Sequence, residues 1–281
     1  MGNQFYYRQH TVAWLAEACD ALVSVFFPAD CRTCDQLLTR ASRVPICEDC
    51  LESFAPLSGK LCEICGRPIQ TWAENASPTG TECLRCALCR ARPGQEEKLY
   101  AFDLARSYAS YDGALVRAIL LLKFERMEPL GEWFSERLVE VVRREALAAD
   151  VVVPVPLHRV RERERGYNQA DLIAKPLARR LKLPHGRVLL MRTRPRPDKH
   201  VLSLEERWES VRGAFATRPG SVVDNLRVLL VDDVMTTGAT LDACARALRE
   251  AGARSVIALT VARALRNPIW SPSESQVDKA P

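Results

Sequence analysis

One stretch of the chain gathers the residue types that hold a phosphorylated sugar: Arg227-Val-Leu-Leu-Val-Asp-Asp-Val-Met-Thr-Thr-Gly-Ala-Thr240. An apolar run of strand character, Leu226 to Asp232, ends in two carboxylates, and a short turn then opens a helix over Thr240–Ala251. Backbone N–H groups at a helix N-terminus point at an anion, Gly238 lets the chain approach it closely, and the hydroxyls of Thr236, Thr237 and Thr240 can donate further bonds. Asp232 and Asp233, just ahead of that cradle, are placed to accept hydrogen bonds from sugar hydroxyls. The combination predicts recognition of a ribose 5-phosphate. Capping of the helix would explain one or two of these residues, but not two adjacent acids and three threonines around one glycine.

A second chemistry lies in the cysteines. Ten of the eleven precede residue 90, and nine of those fall between Cys31 and Cys89. Cys31, Cys34, Cys47 and Cys50 form C-x₂-C-x₁₂-C-x₂-C, the spacing that brings four thiolates around one Zn²⁺. Cys62 and Cys65 need a second pair, and the run offers Cys86/Cys89 or Cys83/Cys86; Cys86 and Cys89 are favoured, with Cys83 the alternative. Both sites are expected to be structural, because four thiolates leave the metal no open position. A disulfide framework would require an oxidising compartment, and iron–sulfur ligation is a third option. Cys19 and Cys244 stand apart on apolar helical faces and receive no chemistry.

The third feature is charge. The whole chain carries 40 Lys and Arg against 35 Asp and Glu, a net +5. From Leu157 to Arg218, however, sixteen basic residues face seven acidic ones, which suits a polyanionic ligand. Arg161, Arg163 and Arg165 lie there, interleaved with Glu162 and Glu164 in an order that would also suit a helix laced with ion pairs.

The elements that must position these groups alternate between strand and helix after residue 100, the order of an α/β fold with a mostly parallel sheet. Strands are expected at Leu104–Ser110, Val151–Pro156, Leu226–Asp232 and Ser255–Val261. Helices are expected at Gly113–Phe124, Leu130–Ala148, Asn168–Leu183 with Pro176 inside it, and Thr240–Ala251, which Gly252 ends. Thr11 to Phe27 has helical apolar periodicity stopped by Pro28. Glu17 and Asp20 interrupt it and no cationic flank frames it, so a secretory signal is rejected and a cytoplasmic location expected. No apolar run reaches the roughly 18 residues of a membrane span. At 47% hydrophobic and 27% charged, chain-wide disorder is excluded. The domains are expected at 1–28 (amphipathic helix), 29–98 (double zinc ribbon), 99–266 (α/β domain) and 267–281 (polar, Pro-containing tail).

The Asp-Asp and Thr-Thr-Gly-x-Thr stretch resembles the phosphoribosyl-pyrophosphate motif of type I phosphoribosyltransferases, and with the cysteine ribbons the chain from about Phe27 to Arg263 resembles the ComF family. Tyr111-Asp-Gly, Lys123-Phe124, Val153-Pro-Val-Pro-Leu-His158, Arg165-Gly-Tyr-Asn-Gln169, Glu206-Arg207 and Val211-Arg-Gly-Ala-Phe215 carry the likeness further. The resemblance implies a Rossmann-like transferase domain behind a double zinc ribbon. Asp232, Asp233 and Arg165 would serve catalysis, and Asp232, Asp233, Thr236, Thr237, Gly238, Ala239 and Thr240 would bind phosphoribosyl pyrophosphate. The pyrophosphate loop falls on the segment beginning at Pro156, with Arg161, Arg163, Arg165 and Mg²⁺ on the leaving group. A lid is implied over Arg192–Leu204, and nearby Lys199 and Ser210 stand where the family commonly has Gln and Asn. A link to natural transformation is implied as well, with single-stranded DNA and other competence proteins as partners. No general base declares itself, so pentosyl transfer to a nitrogenous base stands beside ligand sensing without turnover.

Overall fold

In the computed structural model, residues 29–38, 42–69, 84–90, 99–195 and 203–265 are described. The expected N-terminal helix, Cys19, Cys83, Lys199, His200 and the tail from Asn267 lie outside them. The described residues fall into two compact units, those within 1–54 and 113–130, and those within 55–112 and 131–281. Among the described residues no helix is long and apolar enough to cross a membrane.

The first unit contains α1 (Glu48–Glu52) and α2 (Gly113–Phe124), which pack together. α2 buries Leu115, Ala118, Ile119, Leu121 and Leu122, the three- and four-residue steps of an amphipathic helix. Glu125, just past its end, pairs with Arg32 and with Arg117, the latter at 2.9 Å.

The second unit is built on a parallel sheet of four strands, β1 (Leu104–Ser110), β2 (Val151–Pro154), β5 (Arg227–Met235) and β6 (Ser255–Arg263), in the order β1-β6-β5-β2. Val151–Val153 and Val228–Val231 are buried throughout, as consecutive apolar residues must be in a strand covered on both faces. The covering helices are α3 (Pro129–Arg144), most of which lies in this unit, α5 (Gln169–Leu181) and α7 (Ala239–Glu250). Pro176 sits inside α5 without ending it. Lacking an N–H, it leaves the Leu172 carbonyl without its helical donor. Gly131 packs directly on that carbonyl, where a Cβ would come within 2.7 Å.

Several boundaries differ from the sequence expectation, among them the end of α3, at Arg144 rather than Ala148. β2 stops at Pro154, and Arg159–Arg165 forms a short helix, α4, capped by the His158 side chain and ended by Gly166 at φ 87°. β5 continues to Met235 because β6 runs on to Arg263 and supplies partners, Val234 opposite Ala262 and Met235 opposite Arg263. β3 (Leu190–Arg192) and β4 (Phe215–Thr217) form an antiparallel pair that three-residue strands left unread, and α6 (Leu204–Glu209) precedes β4 with a Ser203/Glu206 capping box.

Candidate functional site

The candidate site lies at the C-terminal end of β5, where the strand passes through residues 236–238 into α7. Gly238 occupies the position before the helix at φ 87°, a left-handed conformation that favours glycine. Space demands it too, since a Cβ would lie 2.8 Å from the Met235 Cε and 3.0 Å from the Tyr100 ring. The first helical bond runs from the Asp242 N–H to the Gly238 carbonyl at 2.8 Å. The N–H groups of the preceding turn therefore have no intrahelical acceptor and can meet an anion. The Thr237 hydroxyl accepts from the Ala239 N–H at 3.2 Å, which tightens the turn. Thr236, Thr237 and Thr240 are half-buried, with Gly238 and Ala239 buried beneath them.

Asp232 and Asp233 are 9% and 4% exposed, and both lie within the strand. Successive strand residues project to opposite faces. Asp232 acts on Cys244 of α7, helping burial to push that thiol upward, whereas Asp233 acts on Arg165. Burial pulls the Arg165 guanidinium below its ordinary value and the Asp233 carboxylate opposes the shift. Arg165 also donates to the Gln169 side chain. The corner that delivers it is held by Asn168, whose amide donates to the Val155 carbonyl at 2.9 Å and accepts from the Ala170 N–H at 3.1 Å.

Of the three arginines expected on a pyrophosphate loop, Arg165 is the one on which Asp233 acts, so it lies within electrostatic range of that acid. Arg161 and Arg163 lie on the exposed part of α4, with Arg161 3.5 Å from Glu164. The segment is a helix rather than a loop: alternating Arg and Glu favour a helix once His158 caps its start. Of the expected lid, Arg192 belongs to β3, and residues 196–202 lie outside those described. Ser210 closes α6, its hydroxyl donating to the Arg207 carbonyl.

Tyr100 is the residue that sequence reasoning missed. Its hydroxyl donates to the Thr237 carbonyl at 3.1 Å, and its ring stacks on Phe102 at 4.5 Å and on Trp208 at 6.0 Å. No local pattern marks it; its contact with the loop spans 137 positions of sequence.

The cysteines gather into two quartets, Cys31/Cys34/Cys47/Cys50 and Cys62/Cys65/Cys86/Cys89, with the sulfurs of each within 4.8 Å of one another. A tetrahedral Zn²⁺ with bonds of about 2.3 Å needs sulfurs about 3.8 Å apart. The Cys34···Cys47 and Cys65···Cys86 separations are both 3.6 Å, so the donor type and spacing fit the ion at both places. In the first quartet, N–H groups, including that of Cys47 at 3.3 Å, overcome burial and bring the Cys31 thiol down to about 6. In the second, a bond with Cys89 outweighs burial and, with the Arg263 guanidinium helping, brings Cys65 down to about 5, while burial pushes Cys86 up.

Residues 22–87 match a double zinc ribbon domain and residues 169–271 a phosphoribosyl transferase domain. The chain is 30% identical over 214 residues to the DNA utilization protein YhgH of Escherichia coli K12, covering 73% of this chain and 91% of that protein. It is 30% identical over 223 residues to competence protein ComFC of Bacillus subtilis, covering 78% and 84%. Against competence protein F of Haemophilus influenzae the identity is 27% over 225 residues, covering 78% and 90%. Among solved structures, the glutamine phosphoribosylpyrophosphate amidotransferase from B. subtilis aligns with 47% of this chain and 25% of its own length, at 25% identity and a TM-score of 0.31.

Proposed function

The chain belongs to the ComF family, and from that premise we propose that it binds phosphoribosyl pyrophosphate at the β5–α7 loop and transfers the phosphoribosyl group to a nitrogenous base. The observation that carries this reading is a buried acid, Asp233, within electrostatic range of Arg165 and just ahead of a helix N-terminus that Gly238 opens to an anion. The N–H groups of the turn, with the hydroxyls of Thr236, Thr237 and Thr240 and close approach at Gly238 and Ala239, hold the 5-phosphate. Asp233, with Asp232 behind it, accepts from the ribose hydroxyls. Arg165 meets the negative charge that grows on the pyrophosphate as the bond from C1 to its oxygen breaks. The electron pair leaves with the pyrophosphate, the base nitrogen forms the new bond to C1, and its proton passes to solvent. Mg²⁺, for which the Asp233 carboxylate and the pyrophosphate would offer hard oxygen donors, would supply charge neutralisation on the leaving group when bound. Arg161 and Arg163, on the outer part of α4, extend the positive field toward it.

The names carried by its relatives, DNA utilization protein and competence protein, support a setting in DNA uptake, and transfer to a base would equally serve nucleotide salvage. The same names leave room for a second reading, a non-catalytic phosphoribosyl sensor or single-stranded DNA-binding factor whose zinc ribbons dock other competence proteins.

Pyrophosphate release from phosphoribosyl pyrophosphate, assayed with a panel of nucleobases, separates the two. Transfer predicts base-dependent release that falls at least a hundredfold in Asp233→Asn. Binding of the compound with no release above background for any base would overturn transfer and leave the sensor. DNA binding that weakens with salt, survives Asp233→Asn and declines on changing Arg161 would favour the nucleic-acid role.

A further inference from the structure

Arg263, at the end of β6, is only 1% exposed, yet its Nε and Nη1 have no hydrogen-bond partner among the described residues. A guanidinium buried on such terms is costly unless a counter-charge lies beside it. The groups that act on it are Cys65, Tyr100 and Cys86, together with the like-charged Arg67. It therefore lies within electrostatic range of the second cysteine quartet and of the tyrosine beneath the loop, near the point where Arg67, two residues past Cys65, bonds to Leu265.

The same quartet is bonded into the α/β framework on several sides. The Ala105 N–H of β1 donates to the Ile64 carbonyl at 2.6 Å, inside the Cys62–Cys65 turn. Arg106 reaches the Glu63 carbonyl at 3.2 Å, and Arg67 donates to the Leu265 carbonyl at 2.7 Å, two residues beyond Arg263. Tyr100 completes the connection, with its hydroxyl on Thr237 and its ring against Gly238. A zinc ion held by four thiolates carries a formal charge of about −2, which two guanidiniums can balance. Arg263 and Arg67 are the two at hand.

We propose that Arg263 is the counter-charge of the metal-loaded Cys62/Cys65/Cys86/Cys89 cluster, and that through Tyr100 this loaded cluster holds the β5–α7 loop in its sugar-phosphate-binding conformation. The loop half of the proposal rests on the phosphoribosyl reading above; the Arg263 half does not. Arg263 and Tyr100 are positioning residues, and occupancy of the first quartet leaves the loop unaffected.

The test uses the full, zinc-replete chain and follows zinc release to a chromophoric chelator, with Cys34→Ser identifying the ion of the first quartet. Arg263→Met should lose the second quartet's ion at least tenfold faster than the parent and the first quartet's ion at the parent rate, while Arg263→Lys stays within threefold for both. Equal release from Arg263→Met and the parent would overturn the counter-charge. If Arg263→Met does not fold, Arg263→Lys decides: parent-like retention supports the role, and loss of the ion despite the retained charge overturns it. Titration with phosphoribosyl pyrophosphate then reads the loop. Its Kd should change less than twofold when the first quartet is emptied and rise at least tenfold when the second is, with Tyr100→Phe raising it three- to fivefold at full zinc. Affinity that follows the first quartet, ignores both, or is unchanged in Tyr100→Phe would overturn the coupling. A zinc-replete parent that binds no phosphoribosyl pyrophosphate would overturn the site reading and the loop half together, and zinc release would still decide the Arg263 half.

Discussion

The two cysteine turns are close copies in backbone and differ in what surrounds them. In one, the Cys31 N–H donates to the Gln36 carbonyl at 2.7 Å and the Asp35 N–H to the Cys31 carbonyl at 2.9 Å; in the other, Cys62, Arg67 and Gly66 make the same pair of bonds at 2.8 and 3.0 Å. The fifth residue of each turn is left-handed, Asp35 at φ 60° and Gly66 at φ 65°. Asp35 is exposed, whereas a Cβ on Gly66 would lie 2.6 Å from the Ala105 carbonyl oxygen. The first quartet is partly open to solvent, with Cys34 exposed, and all four members of the second are buried in the core that contains Tyr100 and Phe102. One cysteine turn thus belongs to its own unit, and the other is packed in the core behind the candidate site.

The largest expected effect follows from removing one ligand on each side. Structural zinc contributes about 10–16 kcal/mol of apparent binding energy, as much as the about 5–15 kcal/mol of net stability of a typical domain. Cys65→Ser should lower the midpoint of the cooperative thermal transition of the α/β unit, followed by circular dichroism, by at least ten degrees, and Cys34→Ser should leave it within a few degrees of the parent. Equal loss in both would erase the distinction.

Gly66→Ala comes next. Left-handed strain and overlap with β1 should destabilise the α/β unit by about 2–4 kcal/mol in a urea titration, against about 1 kcal/mol or less for Asp35→Ala. Comparable losses would mean that the second turn is not held tightly against β1.

The third comparison uses pH. Glu145 resists burial through its bonds with Arg106, at 2.8 Å, and Arg144, so its carboxyl lies below the ordinary 4.5. A depressed carboxylate stabilises the fold above its unfolded value, and that contribution disappears as pH falls through the folded value. Glu145→Gln should therefore lower the urea midpoint of the α/β unit near neutrality, with the difference shrinking below about pH 4.5. A difference that grew on acidification would contradict the assignment. The smallest effect belongs to Glu125→Ala in the first unit, where partly exposed pairs with Arg32 and Arg117 should be worth about 0–1 kcal/mol and fade with added salt.

Legibility in the sequence followed the range of the chemistry. The cysteine quartets and the turn from Asp232 to Thr240 could be read because ligand type and spacing are local there, and the buried valines of β2 and β5 because a doubly covered strand has a local signature. Among the alternating arginines of α4, only packing of the corner at Asn168 decides that Arg165 comes within electrostatic range of Asp233. The extension of β5 to Met235 depends on how far β6 runs beside it, and the short strands β3 and β4 are below the length at which periodicity speaks. Tyr100 and Arg263 acquire their roles from contacts across the fold, and neither stands in a pattern that would mark it.

The central claim is that the β5–α7 loop grips a ribose phosphate with Asp233 and Arg165 above it. Calorimetric titration of the zinc-replete chain with phosphoribosyl pyrophosphate and Mg²⁺ tests it most directly. Saturable one-to-one binding that weakens at least tenfold in Asp233→Asn is the predicted result; absence of saturable heat in the parent, or equal affinity in the variant, would contradict it.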